Sequence, residues 1–180
     1  MTPQTHLREQ IARLARLDAA TGWVGDLNPT QRAAISYLAR ANRFSRSPSH
    51  LSGYLGTTRG TVSQTLKSLL QKGYVTEQRS ETDKRVISFE LTDRGQKIAE
   101  TPTPLDAVLK ELSDEDQQSL QHILSRAMRR VLAQNQGPEF GPCRTCVYHS
   151  RGEAGSECSL LSVALTKQES DQICFEQVSA

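Results

Sequence analysis

Through the first 135 residues of the chain apolar positions recur mostly at helical spacing, and they alternate in one short stretch only. Leu7, Ile11, Leu14 and Leu17 predict a first helix over 4–18. A second helix should start at Asn28-Pro29-Thr30-Gln31. Asn28 can cap, Pro29 fits the first helical position and Gln31 can reach back to the cap. Ala34, Ile35, Leu38 and Ala39 form its expected buried face. Ser47-Pro48 opens a third, short helix ending near Gly53-Tyr54. Gly56 makes a turn, Thr57 or Thr58 caps a fourth helix, and Gly73 stops it after Lys72.

Residues 74–78 and 86–91 alternate enough to be strands, with Ser80-Glu81-Thr82-Asp83 as the hairpin tip. Thr92 caps a fifth helix. Pro102 and Pro104 interrupt it, since neither can donate a backbone hydrogen bond. The pattern resumes at Leu105, Val108, Leu109 and Leu112. Ser113-Asp114-Glu115-Asp116 resembles a capping box and opens a sixth helix with a wide stripe: Leu120, Ile123, Leu124, Ala127, Met128, Val131 and Leu132. Gln136-Gly137-Pro138 marks a boundary, dividing a 1–135 domain from a 138–180 tail.

Two helices around a glycine turn, then a charged hairpin, make a helix-turn-helix with a wing over 51–95, a unit shaped for duplex DNA. On a helical wheel of the fourth helix Val62, Leu66, Leu69 and Leu70 point one way. Gly60, Thr61, Gln64, Ser68 and Gln71 point the other way, flanked by Lys67 and Lys72. Arg59 and Gln64 have the paired donors and acceptors that read guanine and adenine edges. Thr58, Thr61 and Ser63 suit phosphate contacts, which position without reading sequence. Lys67 adds charge. Arg79, Lys84 and Arg85 cluster around the hairpin, suited to a minor groove or phosphates. Asp83 is placed to orient Arg85. Arg40, Arg43 and Arg46 are candidates for further backbone contacts.

The blocks LNPTQRAAISYL, LSGYLGTTRGTVSQTLKSLLQKGYVTEQ and TDKRVISFELTDRG resemble the MarR family of bacterial transcription regulators. The resemblance covers about residues 7–132. It implies a homodimer on a double-stranded, pseudo-palindromic operator, with first and last helices interlocked and each wing and recognition helix on DNA. The wide stripe of the sixth helix agrees, because a lone winged-helix core does not need it. Family members have a long, continuous fifth helix, so Pro102 and Pro104 set this chain apart. The expected fold class is mainly α with a small β-wing. It is a winged helix-turn-helix with helical dimerisation elements, plus a small Cys-rich metal-binding appendage.

Composition narrows the picture only in part. Hydrophobic residues make up 36% and charged residues 23%, enough for a packed core and against bulk disorder. A net charge of +2 decides nothing about nucleic acid; its distribution must. No apolar run approaches a membrane span, and the start MTPQTHLREQ has no signal-peptide character. The expected location is the bacterial cytoplasm, with no membrane partner; any small-molecule effector is left open.

Cysteine changes the picture most. All four, Cys143, Cys146, Cys158 and Cys174, fall in the tail, spaced C-x2-C-x11-C-x15-C. In a reducing compartment such a cluster points to metal or redox chemistry rather than disulfides. One CxxC knuckle rather than two favours an iron–sulfur cluster over structural zinc, with zinc or a redox dithiol as alternatives. The tail is also short of apolar residues, so a metal would supply stability it otherwise lacks. His149 is a further possible ligand, more simply a surface residue, and Glu153, Glu157, Glu169 and Glu176 read as solvated charges. No catalytic Ser/His/Asp order, phosphate-binding Gly loop or carboxylate pair occurs, so no enzyme is expected. The expected function is a sequence-specific repressor modulated by the tail. The alternatives are a redox or electron-transfer protein and a winged-helix protein-interaction module.

Overall fold

The computed structural model describes residues 2–79, 86–152 and 155–179. Its centre is α2 (Pro29–Arg40), set at its start by a full capping box. Asn28 accepts from the Gln31 N–H at 2.9 Å while Gln31 accepts from the Asn28 N–H at 3.1 Å. Ala34, Ile35, Tyr37 and Leu38 of α2 are buried against Leu51 of α3 (Pro48–Leu55) and Val62, Leu66 and Leu69 of α4 (Arg59–Gln71). Each buried Val, Leu or Ile side chain among them contributes about 1.5–3 kcal/mol. Gly56 turns α3 into α4 in the left-handed region at φ 60°, and Thr58, rather than Thr57, caps α4.

The wing is β1 (Val75–Arg79) paired antiparallel with β2 (Ile87–Leu91), Val75 opposite Leu91 and Arg79 opposite Ile87. Both strands start one residue later than alternation predicts. The hairpin tip, with Asp83, Lys84 and Arg85, lies outside the described residues. Thr92 caps α5 (Asp93–Ala99), which ends before Pro102. Pro104 then occupies the first turn of α6 (Pro104–Glu111), where its missing N–H costs nothing. Ser113 caps α7 (Asp114–Gln134).

Two wheel positions differ from expectation. Tyr37, not Ala39, fills the α2 face, because its hydroxyl donates to the Ser45 carbonyl at 2.6 Å and so satisfies its one polar atom. Leu70 is 40% exposed, since the neighbouring Leu66 and Leu69 already fill the contact.

The long N-terminal helix α1 (Pro3–Ala20), α6 and α7 contain no buried residue. Leu7, Ile11, Leu14 and Leu17 of α1 stand exposed, as do Leu120, Ile123, Leu124, Met128 and Val131 of α7. No described helix is long and apolar enough to cross a membrane.

After α7 the chain passes through Gln136 and Phe140, both at positive φ, into a small module. β3 (Gly141–Pro142) pairs with the last strand β7 (Ile173–Cys174). β4 (His149–Gly152), β5 (Gly155–Cys158) and β6 (Val163–Leu165) form a three-stranded antiparallel sheet, and α8 (Lys167–Asp171) connects it to β7. The module is not a free tail. Ile173 forms a parallel bridge with Ala41, and Phe140 and Ile173 pack against the main core.

Candidate nucleic-acid interface and cysteine cluster

Local rules place α4's polar face outward. Val62, Thr65, Leu66 and Leu69 are buried, so Arg59, Thr61, Ser63, Gln64 and Lys67 are left exposed. The Thr58 hydroxyl caps the helix by accepting from the Thr61 N–H at 3.2 Å and lies 2.9 Å from the Thr61 hydroxyl. Thr58 therefore has a structural task besides any phosphate contact. Arg79 is exposed on β1 and paired with Glu77 at 2.8 Å, so part of its charge is already answered. Lys84 and Arg85 fall outside the described residues. The described members of the expected DNA set thus share one face of α4 and the adjoining strand.

Other expectations are corrected. Ser68 faces inward, accepting from Gln31 Nε2 at 2.9 Å. Lys72 donates to the Asp26 carbonyl and to Gln31 Oε1, and so faces α2. Arg40, Arg43 and Arg46 remain candidates for DNA-backbone contacts, and each also donates to a main-chain carbonyl of its own chain. Arg40 donates to the Ser36 carbonyl at 3.0 Å. Arg46 donates to the Ala41 carbonyl at 3.0 Å and sits 3.6 Å from Glu90. Arg43 pairs with Glu169 at 2.5 Å and donates to the Ala164 carbonyl at 3.3 Å. Glu169 is therefore buried rather than solvated. Its one sequence signal is Thr166-x-x-Glu169, a capping box that forms as written. Nothing local in the sequence marks its partner, far away in the chain.

The base of the wing is braced by a polar cluster. Tyr74 donates to Asp26 at 2.6 Å, and Arg94 lies over the Tyr74 ring at 4.1 Å. The Tyr74 hydroxyl holds the Asp26 carboxyl below the usual carboxylate range, helped by Lys72 and Arg94. Arg94 also donates to the Lys72 carbonyl at 2.6 Å, and Thr92 to the Gly73 carbonyl at 2.7 Å. The end of α4, the start of β1 and the start of α5 are thus one joint. Gly95 permits it: a Cβ there would stand 2.2 Å from the Tyr74 carbonyl oxygen.

The second candidate site lies in the appended module. All four cysteines are free and buried, and Cys143, Cys158 and Cys174 share a small core with Leu165. The Cys143–Thr145 turn is closed by the Cys146 N–H donating to the Cys143 carbonyl at 3.0 Å. Cys158 stands opposite His149 in the β4–β5 pair, and Cys174 opposite Gly141. The Val178 N–H donates to Cys146 Sγ at 3.4 Å. Burial pushes the Cys143 thiol up to about 12, with further contributions from Cys174, Cys158 and Cys146. Three of the cysteines thus line one small core, and Cys146 follows directly on the turn that starts at Cys143. Among the described residues no three His, Cys, Asp or Glu side chains are placed to hold a metal ion as they stand. His149 is committed elsewhere, its Nε2 3.2 Å from the Ser170 hydroxyl.

Fold and site together define a winged helix-turn-helix protein carrying an extra cysteine module. Residues 25–86 match the model of the MarR family. Three solved structures have a similar fold. MepR of S. aureus, in complex with DNA, is 19% identical with a TM-score of 0.56 over 73% of this chain and 99% of that one. FabT of Streptococcus pneumoniae, in complex with DNA, is 21% identical with a TM-score of 0.54 over 73% and 96%. A MarR/EmrR family transcriptional regulator of Acinetobacter sp. ADP1 is 25% identical with a TM-score of 0.56 over 74% and 99%. These proteins are matched almost end to end while about a quarter of this chain stays unmatched. No curated protein matches the chain.

Proposed function

We propose that the chain is a MarR-type transcription regulator that binds double-stranded DNA sequence-specifically as a homodimer. The observation that carries this is the α4 face: Arg59, Thr61, Ser63, Gln64 and Lys67 exposed together on a helix anchored from behind and flanked by a wing. The fold likeness to MepR and FabT, both solved with DNA, supports it. The exposed apolar stripes of α1 and α7 support dimerisation, since a monomer in water gains nothing from leaving them open. The finer parts of the reading are that the protein represses by occupying its operator, and that an iron–sulfur cluster or zinc at the four cysteines tunes this.

Selection from a random duplex pool, followed by footprinting, tests the core of it. Two half-sites about one helical turn apart are expected. Arg59→Ala and Gln64→Ala should each cost about 1–3 kcal/mol on the selected site and relax preference at one base position. Lys67→Ala should weaken binding evenly across sequences and flatten the salt dependence. Purely salt-driven binding with no sequence preference overturns the proposal.

A further inference from the structure

We propose that Cys143, Cys146, Cys158 and Cys174 form one thiolate site for a thiophilic metal, iron in a cluster or zinc, and that its loading reaches the DNA-reading elements through β7 and the turn at 41–46. This rests on the DNA-binding reading above and adds the route by which the cysteine site acts.

The donor set fits such a metal. Four buried thiols stand where a module of this size would otherwise need Leu or Val, while Val147, Leu160 and Leu161 remain exposed. Buried free cysteines can serve as small apolar residues, but two features go beyond that role. The tight Cys143–Thr145 turn sets two thiols on one short loop. The Val178 N–H points at Cys146 Sγ, a donor that favours a thiolate over a thiol. Loading exchanges protons for metal: each ligating cysteine releases its S–H proton to solvent as the sulfur–metal bond forms. No electron transfer is needed to take up zinc or a preformed cluster.

Three of the thiols already share one small core, so a bound metal would tie Cys174 to the Cys143–Thr145 turn and to β5. Cys174 ends β7, so fixing its sulfur would also fix that strand. Its neighbour Ile173 accepts from the Asn42 N–H at 2.9 Å, and the Phe175 N–H donates to the Ser45 hydroxyl at 2.8 Å. The Phe175 ring stacks on His50 of α3 at 4.0 Å. On its far side the same turn holds the wing, for the Arg46 carbonyl accepts from the Phe89 N–H at 3.0 Å. One short turn therefore touches both the cysteine module and a wing strand, while Phe175 beside it reaches the helix before the recognition helix.

The test uses the full chain, stripped of metal under reducing conditions. One sample is titrated with zinc chloride; another is reconstituted anaerobically with sulfide and an equal mixture of ferrous and ferric iron, which together carry the oxidation state of a cluster, and followed by visible absorbance. We expect stoichiometric uptake by one of these routes, abolished in Cys158→Ser. Amide exchange at 41–46 and 173–175 should slow on loading, and affinity for the selected DNA should change by about 5- to 150-fold. Phe175→Ala should keep the metal and lose most of the DNA effect. It also decides the matter if Cys158→Ser does not fold. Failure of both routes to load metal overturns the proposal. So do equal exchange and equal DNA affinity in loaded and stripped protein. Failure of the DNA-binding reading is told apart: loading still slows exchange, but neither form selects a sequence.

Discussion

Replacing Gly95 with Ala pits two effects of known size against each other. Alanine is a better helix former than glycine, by up to about 1 kcal/mol. Against that, the new Cβ would stand 2.2 Å from the Tyr74 carbonyl oxygen, which is backbone and cannot swing aside. The joint must open by about 1 Å to reach an ordinary contact. Overpacking of this kind costs about 1–3 kcal/mol. The Thr92 N–H donates to that same carbonyl at 3.1 Å, and losing this bond adds about 1 kcal/mol. The net expectation is a destabilisation of about 1–3 kcal/mol, or about 4–8 °C in Tm for a 2 kcal/mol loss. Thermal unfolding by circular dichroism at one fixed protein concentration reads it. Gly60→Ala is the partner measurement: its Cβ would meet nothing nearer than Thr58 Oγ1 at 3.9 Å, so helix propensity alone should act and Tm should hold or rise. An unchanged or raised Tm for Gly95→Ala would refute the steric argument, because propensity would then have prevailed at both sites.

Other expectations follow from single contacts. Arg32 is buried and spans the Thr21 carbonyl at 3.0 Å and the Thr101 carbonyl at 2.9 Å; Arg32→Met should cost about 2–4 kcal/mol in urea unfolding, and Arg32→Lys should not restore it, since one ammonium cannot hold both. Glu169→Gln keeps the α8 cap but removes the ion pair with half-exposed Arg43; it should cost about 1 kcal/mol or less globally while raising amide exchange across 166–174. His50 is half-buried beneath Phe175, and desolvation lowers its pKa despite the opposing pull of Glu176. The unfolded chain then takes up the proton first as pH falls. Docking of the module should weaken below about pH 6.5 and level off below the folded pKa, and His50→Phe should flatten that part of the pH profile.

How far the sequence could be read depended on the range of each interaction. Asn28, Gln31, Thr58, Thr92 and Ser113 act within one helical turn, and their caps formed where the spacing placed them. The α4 face was legible for the same reason, apart from Leu70 and Ser68, whose orientation depends on what α2 leaves unfilled. The roles of Arg43 and Arg46 were not legible. Their partners, Glu169, Ala164 and Glu90, are brought near only by the completed fold. Cysteine spacing marked a cluster in the tail, but nothing in it revealed that the tail would lie along the turn at 41–46.

Helices α1 and α7 hold 18 and 21 residues and bury none of them. Helices in proteins owe most of their stability to packing an apolar face, and within the protomer these two arms pack theirs on little. In the proposed dimer folding and pairing become one equilibrium, set by mass action. Dilution alone should then lower the helix content of the sample. In a cell the number of chains made would set both how many dimers exist and how much of each chain is folded, so that a modest drop in synthesis empties the operator more steeply than in proportion.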